Sequence, residues 1–221
     1  MTDSADASPY PKHGPKLDTD QLRALAHPLR IRILDELSMY GPLTASGLGE
    51  RLGESSGATS YHLRQLEKHG LVVEDTTKGS ARERWWNRKP GSISIPDTTD
   101  FPAGSAERLA SQLIEDEFLR GREVAMHEFL AGAESVLPEE WLRLAVADTI
   151  NLRLTPDQFQ GLLNDIDVVL WKYIDAYKTT PTPGARPTQI QINAFPLLRG
   201  EEVAPEAGKT SGNVGSGEKN S

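Results

Sequence analysis

LRALAHPLRIRILDELSMYGPLTASGLGERLGESSGATSYHLRQLEKHGLVVEDTTKGSARERWWNR, residues 22–88, holds the pattern that decides the fold. Leu22, Leu25, Leu29, Ile33, Leu34 and Leu37 recur at helical spacing. Pro28 interrupts this run and suits the first turn of a helix, where a missing N–H costs nothing. A short amphipathic helix follows over residues 43–52, with Thr44 as cap and Leu48 and Leu52 pointing inward. The turn Gly53-Glu54-Ser55 separates it from a third helix, residues 55–69. Residues 71–74 and 82–87 have strand composition, and a Gly turn flanked by basic residues joins them over 76–81. Helix, helix, helix, strand, strand predicts a winged helix-turn-helix over residues 17–90.

The third helix is legible residue by residue. Ser55 or Ser56 caps its open N–H groups, and Gly70 stands where a left-handed C-cap is wanted. Leu63 and Leu66 share an inward stripe, with Ala58 or Thr59 a turn earlier. The opposite face carries Thr59, Ser60, His62, Arg64 and Gln65. Small residues near a helix N-terminus admit a phosphate or base edge, and the helix dipole favours the phosphate. Arg64 has the reach for a phosphate or a guanine edge.

Three runs carry a more specific likeness. Ala26-His27-Pro28-Leu29-Arg30-Ile31-Arg32-Ile33-Leu34, Ser60-Tyr61-His62-Leu63-Arg64-Gln65-Leu66-Glu67 and His69-Gly70-Leu71-Val72 resemble the arsenical-repressor (ArsR) type of winged-helix regulator. Arg82-Glu83-Arg84-Trp85-Trp86 resembles a branch of that group whose wing carries a Trp pair. The likeness covers roughly residues 20–90. It implies a homodimeric repressor that binds double-stranded operator DNA and is relieved by a small-molecule effector. It also implies base contacts from Ser56, Gly57, Thr59, Ser60, His62 and Arg64, and phosphate contacts from Lys78, Arg82 and Arg84. One Trp of the pair should pack on the domain core.

The chain departs from the metal sensors of that group in having no cysteine, which removes thiolate sites, disulfides and thiol redox switching. Glu123 and His127, four apart on a predicted helix near Asp116, Glu117 and Glu128, are half of a His/carboxylate site. A solvated acidic face explains them better, and no metal or cofactor is expected. His13 falls in the N-terminal arm, and His27 and His69 lie at helix ends, where structural roles are expected.

Charge is divided unevenly. The chain has 24 Lys and Arg against 32 Asp and Glu, net −8. Between Tyr10 and Pro90 the count is 13 basic to 10 acidic, leaving −11 for the remainder. A modestly basic reading head joined to an acidic body restricts which face meets nucleic acid, and argues against a general nucleic-acid coat.

The remaining segments fill out an α+β chain. Residues 1–16 and 200–221 read as disordered arms, and 91–104 as a Pro-punctuated connector. The N-terminus has no secretion-signal core and no run suits a membrane span, so a cytoplasmic protein is expected. Residues 105–137 form a long helix with Leu109, Leu113, Phe118, Val124, Phe129, Leu130 and Val136 as a broad apolar stripe. Its length suits dimerisation. Residues 138–199 read as a small strand-helix-strand unit, for an effector or for the dimer. Residues 144–154 and 188–197 alternate as strands that would pair. Between them Thr155 caps and Pro156 opens a helix to about Tyr177 that buries Phe159, Leu162, Leu163, Ile166, Val169, Leu170 and Tyr173. Trp141, Trp171, Tyr173 and Tyr177 are candidates to line a ligand pocket. Gly47, Gly49 and Gly53 lack the preceding strand and the spacing of a phosphate-binding fingerprint, and no hydrolytic or cofactor motif occurs, so an enzyme is not expected. A protein-interaction module using the winged helix as scaffold is the alternative to a DNA-binding regulator.

Overall fold

The computed structural model describes residues 15–78, 83–91, 93–177 and 182–201. The apolar run that begins the domain is split in two. Helix α1 (Thr19–Leu25) opens with a capping box in which Asp18 Oδ1 accepts from the Gln21 N–H at 2.8 Å and Gln21 Oε1 accepts from the Asp18 N–H. Helix α2 (Pro28–Tyr40) starts at the proline, and the His27 ring serves as its cap, Nδ1 accepting from the Leu29 N–H at 3.2 Å. A two-residue strand β1 (Leu43–Thr44) leads into α3 (Ala45–Leu52), capped by Thr44. Then come α4 (Ser56–Lys68), β2 (Val72–Glu74) and β3 (Trp85–Arg88).

The three strands form an antiparallel sheet in the order β1-β3-β2, with Leu43 opposite Trp86 and Val73 opposite Asn87. The sequence predicts two strands; the third is β1, too short to show a period of its own. Helices α1 to α4 and this sheet make a winged helix-turn-helix. Residues 79–82 at the wing tip, Arg82 among them, lie outside the described residues, as do 1–14 and 202–221 of the two arms.

One core holds this head together. Leu22 and Leu25 of α1, Ile31, Ile33, Leu34 and Leu37 of α2, Leu48 of α3, Leu63 and Leu66 of α4, Val72 and Trp86 are buried in a single cluster. Each such aliphatic side chain contributes about 1.5–3 kcal/mol relative to leaving it in water. Of the Trp pair, Trp86 is buried and Trp85 is half-buried. Leu17 joins the core, held by its N–H donating to the Ser94 carbonyl at 2.9 Å.

Helix α5 (Ala106–Val136), capped by Ser105, runs unbroken through Gly121 and Gly132. Its first half closes the core: Ala110, Ser111 and Ile114 are buried against α1 and α2. Gly121 lies so close to α2 that a Cβ there would stand 3.2 Å from Asp35 Oδ2. Of the expected stripe, Leu109, Leu113, Val124, Leu130 and Val136 are exposed, whereas Phe118 packs against the core of the head. A short α6 (Glu139–Leu142) follows, then α7 (Pro156–Tyr177), with Thr155 Oγ1 accepting from the Gln158 N–H at 3.3 Å.

Two expectations for the C-terminal part fail. Residues 144–154 and 188–197 alternate as strands, yet neither forms a ladder. Alternation makes a segment able to pair, but a strand also needs a second backbone about 4.8 Å away. From Val146 to Leu154 no backbone group bonds another backbone group among the described residues. Likewise α7 is helical over its expected span but buries none of its residues. The chain divides into a unit ending at Gln189 and one beginning at Ile190; in the latter Ile190, Phe195 and Leu197 are exposed, and Gly200 N–H turns back to the Leu197 carbonyl at 3.0 Å. Among the described residues no helix is long and apolar enough to cross a membrane.

Candidate nucleic-acid interface

The α3–turn–α4 unit is fixed by three local devices. Gly53 ends α3 in the left-handed region at φ +69°, which a side chain rarely adopts. Gly49 lets the turn fold back on the helix, since a Cβ there would fall 2.7 Å from the Glu54 carbonyl oxygen. Ser55 then caps α4, its Oγ accepting from the Ala58 N–H at 3.1 Å.

Thr59 sets the rotation of α4. It is fully buried, and its hydroxyl lies 2.7 Å from the Ala45 carbonyl oxygen, within reach also of the Ser55 and Ser56 carbonyls. It belongs to the α3–α4 joint and does not face outward, which corrects its assignment to the base-contacting set. With Thr59, Leu63 and Leu66 inward, the outward stripe is Gly57, Tyr61, Arg64 and Lys68, with Ser60 on its flank and Ser56 at the open N-terminus. Tyr61 and Lys68 were missed from the sequence. Their spacing from Gly57 and Arg64 follows the helical period and was the available signal.

His62 lies off this stripe. Its ring packs 4.5 Å from the His27 ring, Tyr61 meets it edge-on at 5.2 Å, and its Nδ1 is buried without a partner among the described residues. Burial, and after it His27 and Arg30, hold the imidazole pKa below its ordinary value. It is therefore a neutral, half-buried group at the α2–α4 contact, and its expected place among outward base contacts is corrected accordingly.

Several cations of the head are engaged by the fold. Arg23 pairs with Glu107 at 2.7 Å, Arg51 pairs with Glu36 and lies over the Tyr40 ring, and Arg32 Nη2 donates to the Leu52 carbonyl at 2.9 Å. Arg84 is equally committed: it donates to Glu74 at 2.5 Å, reaches Glu67 at 3.4 Å and lies 4.4 Å over the Trp86 ring. The Glu74 hydrogen bond raises its pKa above the ordinary value. By contrast Arg64 and Lys68 are exposed and have no ion-pair partner among the described residues. Lys78, at the start of the wing turn, is exposed with its ammonium 5.6 Å from the Trp85 ring centre.

The candidate ligand residues lie on α6 and α7. Tyr173 stacks on Tyr177 at 6.2 Å, and Trp141 has the Arg186 guanidinium 6.0 Å from its ring centre. A concavity of about 390 Å³ is lined by Asp35, Ile95, Glu115, Phe118, Arg122 and Gln189, and another of about 280 Å³ by Asp165, Ile166, Val169 and Leu170. None of the four aromatics lines either. Glu123 and His127 are exposed one turn apart on α5, and among the described residues no group of three His, Asp or Glu gathers as a metal site.

A family model described as a helix-turn-helix domain matches residues 25–75, the span from the end of α1 through β2. No curated protein matches the chain. Among solved structures, the chain is similar to reduced HlyU from Vibrio cholerae, at 26% identity over 43% of this chain and 79% of that one, with a TM-score of 0.28. It is also similar to the YusO protein from Bacillus subtilis, at 20% identity over 56% and 74% with a TM-score of 0.28. A third is MarR from E. coli, at 21% identity over 55% and 88% with a TM-score of 0.28. Residues 25–75 are thus similar to the helix-turn-helix domain of that family model, over α2, α3, α4 and β2.

Proposed function

We propose that this chain is a sequence-specific DNA-binding transcriptional regulator and not an enzyme, a homodimeric repressor of the arsenical-repressor type that lays α4 in the major groove and its wing on the backbone. The observation that carries the reading is the pair of cations, unpartnered among the described residues, on the outward stripe of α4. Arg23, Arg32, Arg51 and Arg84 are taken up by the fold, whereas Arg64 and Lys68 stand unpaired on the outward stripe of the helix after the turn. Cations without partners on the outward face of a helix-turn-helix are available to phosphate and guanine edges. Gly57 keeps the first turn low enough for a close backbone approach, and no acidic residue in that turn opposes a phosphate.

Base readout falls to Ser56, Gly57, Ser60, Tyr61 and Arg64, and backbone contact to Lys68 and Lys78. The repressor sense rests on the sequence resemblance. Homodimerisation is supported by the exposed apolar stripe of α5, which the head does not cover. The direct test is selection of bound duplexes from a random pool by the full chain. Enrichment of an inverted repeat with half-sites about 10 base pairs apart is expected; recovery of no motif overturns the reading.

A further inference from the structure

The segment between α6 and α7 has a pattern that is its own complement, and from Val146 to Leu154 its backbone bonds no other backbone group among the described residues. Residues 144–154 read LAVADTINLRL. Leu144, Val146, Ile150, Leu152 and Leu154 share one parity with Asp148, and Ala145, Ala147, Thr149, Asn151 and Arg153 the other. The apolar set is in water: Leu144 is 73% exposed, Val146 75% and Ile150 79%. Pro156 closes the segment on one side and α6 on the other, and nothing in the described residues ladders with it.

From these observations we infer that residues 146–152 of two copies of this chain pair as an antiparallel ladder centred on Thr149, so that the strand this segment lacks is supplied by its mate. The inference rests on the homodimer in the reading above and names an interface for it.

The register follows from the pleat. Opposed residues of an antiparallel pair point to the same face, so apolar meets apolar only when paired residue numbers sum to an even value. Pairing Thr149 with Thr149 does this over residues 146–152, since the N–H groups of Leu144 and Ala145 are bonded back to the Trp141 and Leu142 carbonyls. Val146 then faces Leu152, and on the other side Ala147 faces Asn151. No like charges are directly opposed. The side chains at the two-fold are hydroxyls that can bond each other.

The amount of surface is right for a second copy. The exposed aliphatic residues of this segment, with Val168, Val169, Tyr173, Ile174 and Tyr177 of α7, leave on the order of 1,000 Å² in water, above the few hundred of an ordinary monomer patch and the ~800 Å² per partner of a stable complex. The ladder's apolar face also needs a cover. Helix α7, starting two residues after the strand and burying nothing of its own, has an apolar side of that length.

Asp148 is the exception on the apolar face. In this register it lies diagonal to Asp148 of the second copy, and two neighbouring carboxylates repel. Asp148→Asn should tighten the dimer about threefold.

Because the chain has no cysteine, Thr149→Cys introduces a single thiol into the full-length protein. Directly opposed Cα atoms lie about 4.5–5.5 Å apart, within disulfide reach. Oxidation should give a covalent dimer for Thr149→Cys and none for Asn151→Cys, whose mates stand four residues out of register. Sedimentation of the wild type should report a dimer, which Val146→Asp with Leu152→Asp converts to a monomer. A monomeric wild type overturns the ladder and the dimer together. A dimer that fails to cross-link at Thr149, or that links equally at Asn151, overturns the ladder alone. Selection of a DNA motif stands apart from both results.

Discussion

The Thr59 hydroxyl and the Ala45 carbonyl oxygen, 2.7 Å apart, lock the first helix of the helix-turn-helix to the second. Turning Thr59 inward turns Gly57, Tyr61, Arg64 and Lys68 outward. Thr59→Val keeps the volume but removes the hydroxyl, leaving the Ala45 carbonyl without that donor. A loss of about 1–3 kcal/mol in urea unfolding is expected. Arg64→Ala should change stability by less than about 0.5 kcal/mol, as exposed sites do, while abolishing sequence preference in the selection. If Thr59→Val were as stable as wild type, the bond would not be what orients α4.

Gly49 and Gly57, on either side of the turn between α3 and α4, give opposite outcomes. Gly49→Ala places a methyl group 2.7 Å from the Glu54 carbonyl oxygen, where only backbone movement relieves the contact. A cost of about 1–3 kcal/mol follows. At Gly57 the nearest atom to a new Cβ is Ser55 Oγ at 3.9 Å, so Gly57→Ala fits and gains up to about 1 kcal/mol from helix propensity. The same methyl stands between the first turn of α4 and the groove floor, so DNA affinity should fall as stability rises. Thermal unfolding and a fluorescence titration on one preparation read both effects.

What the sequence made legible is what local chemistry determines. Pro28, Thr44, Ser55 and Gly70 each mark a helix end with their own backbone or side chain, and each end lies where those residues place it. Thr59 was ambiguous because a threonine suits either face of a helix, and its partner Ala45 lies fourteen residues away. Arg84 reads as a wing cation until Glu74 and Glu67 are brought beside it. Residues 144–154 mislead for the same reason: period two records which face is apolar, but the second strand of a ladder is never in the local pattern.

His62 makes the head sensitive to mild acid. Folding lowers its pKa, first through burial and then through His27 and Arg30, while Glu54 acts the other way. The folded state therefore binds the proton less readily than the unfolded chain. The stability contributed by neutral His62 is complete above about pH 6.5 and is lost as pH falls from there toward the folded value. Melting temperatures of wild type and His62→Gln, compared between about pH 7.5 and about pH 5.5, should converge or cross as pH falls. Parallel curves would show that the imidazole does not titrate in this way.

Salt dependence separates the engaged cations from the free ones. A Lys or Arg that neutralises a phosphate adds about 0.9 to the slope of log affinity against log salt. Lys68→Ala and Lys78→Ala should each lower that slope by about 1 and weaken all duplexes alike. Arg84 is neutralised in place by Glu74 and Glu67, so it has little counterion release to contribute. Arg84→Gln should leave the slope nearly unchanged and act instead on the wing, uncovering the Trp86 ring and freeing two carboxylates beside the groove. Its affinity loss should then be recovered by Glu74→Gln in the same chain. A slope that drops by a full unit in Arg84→Gln, with no recovery, would return Arg84 to the phosphate-contacting set.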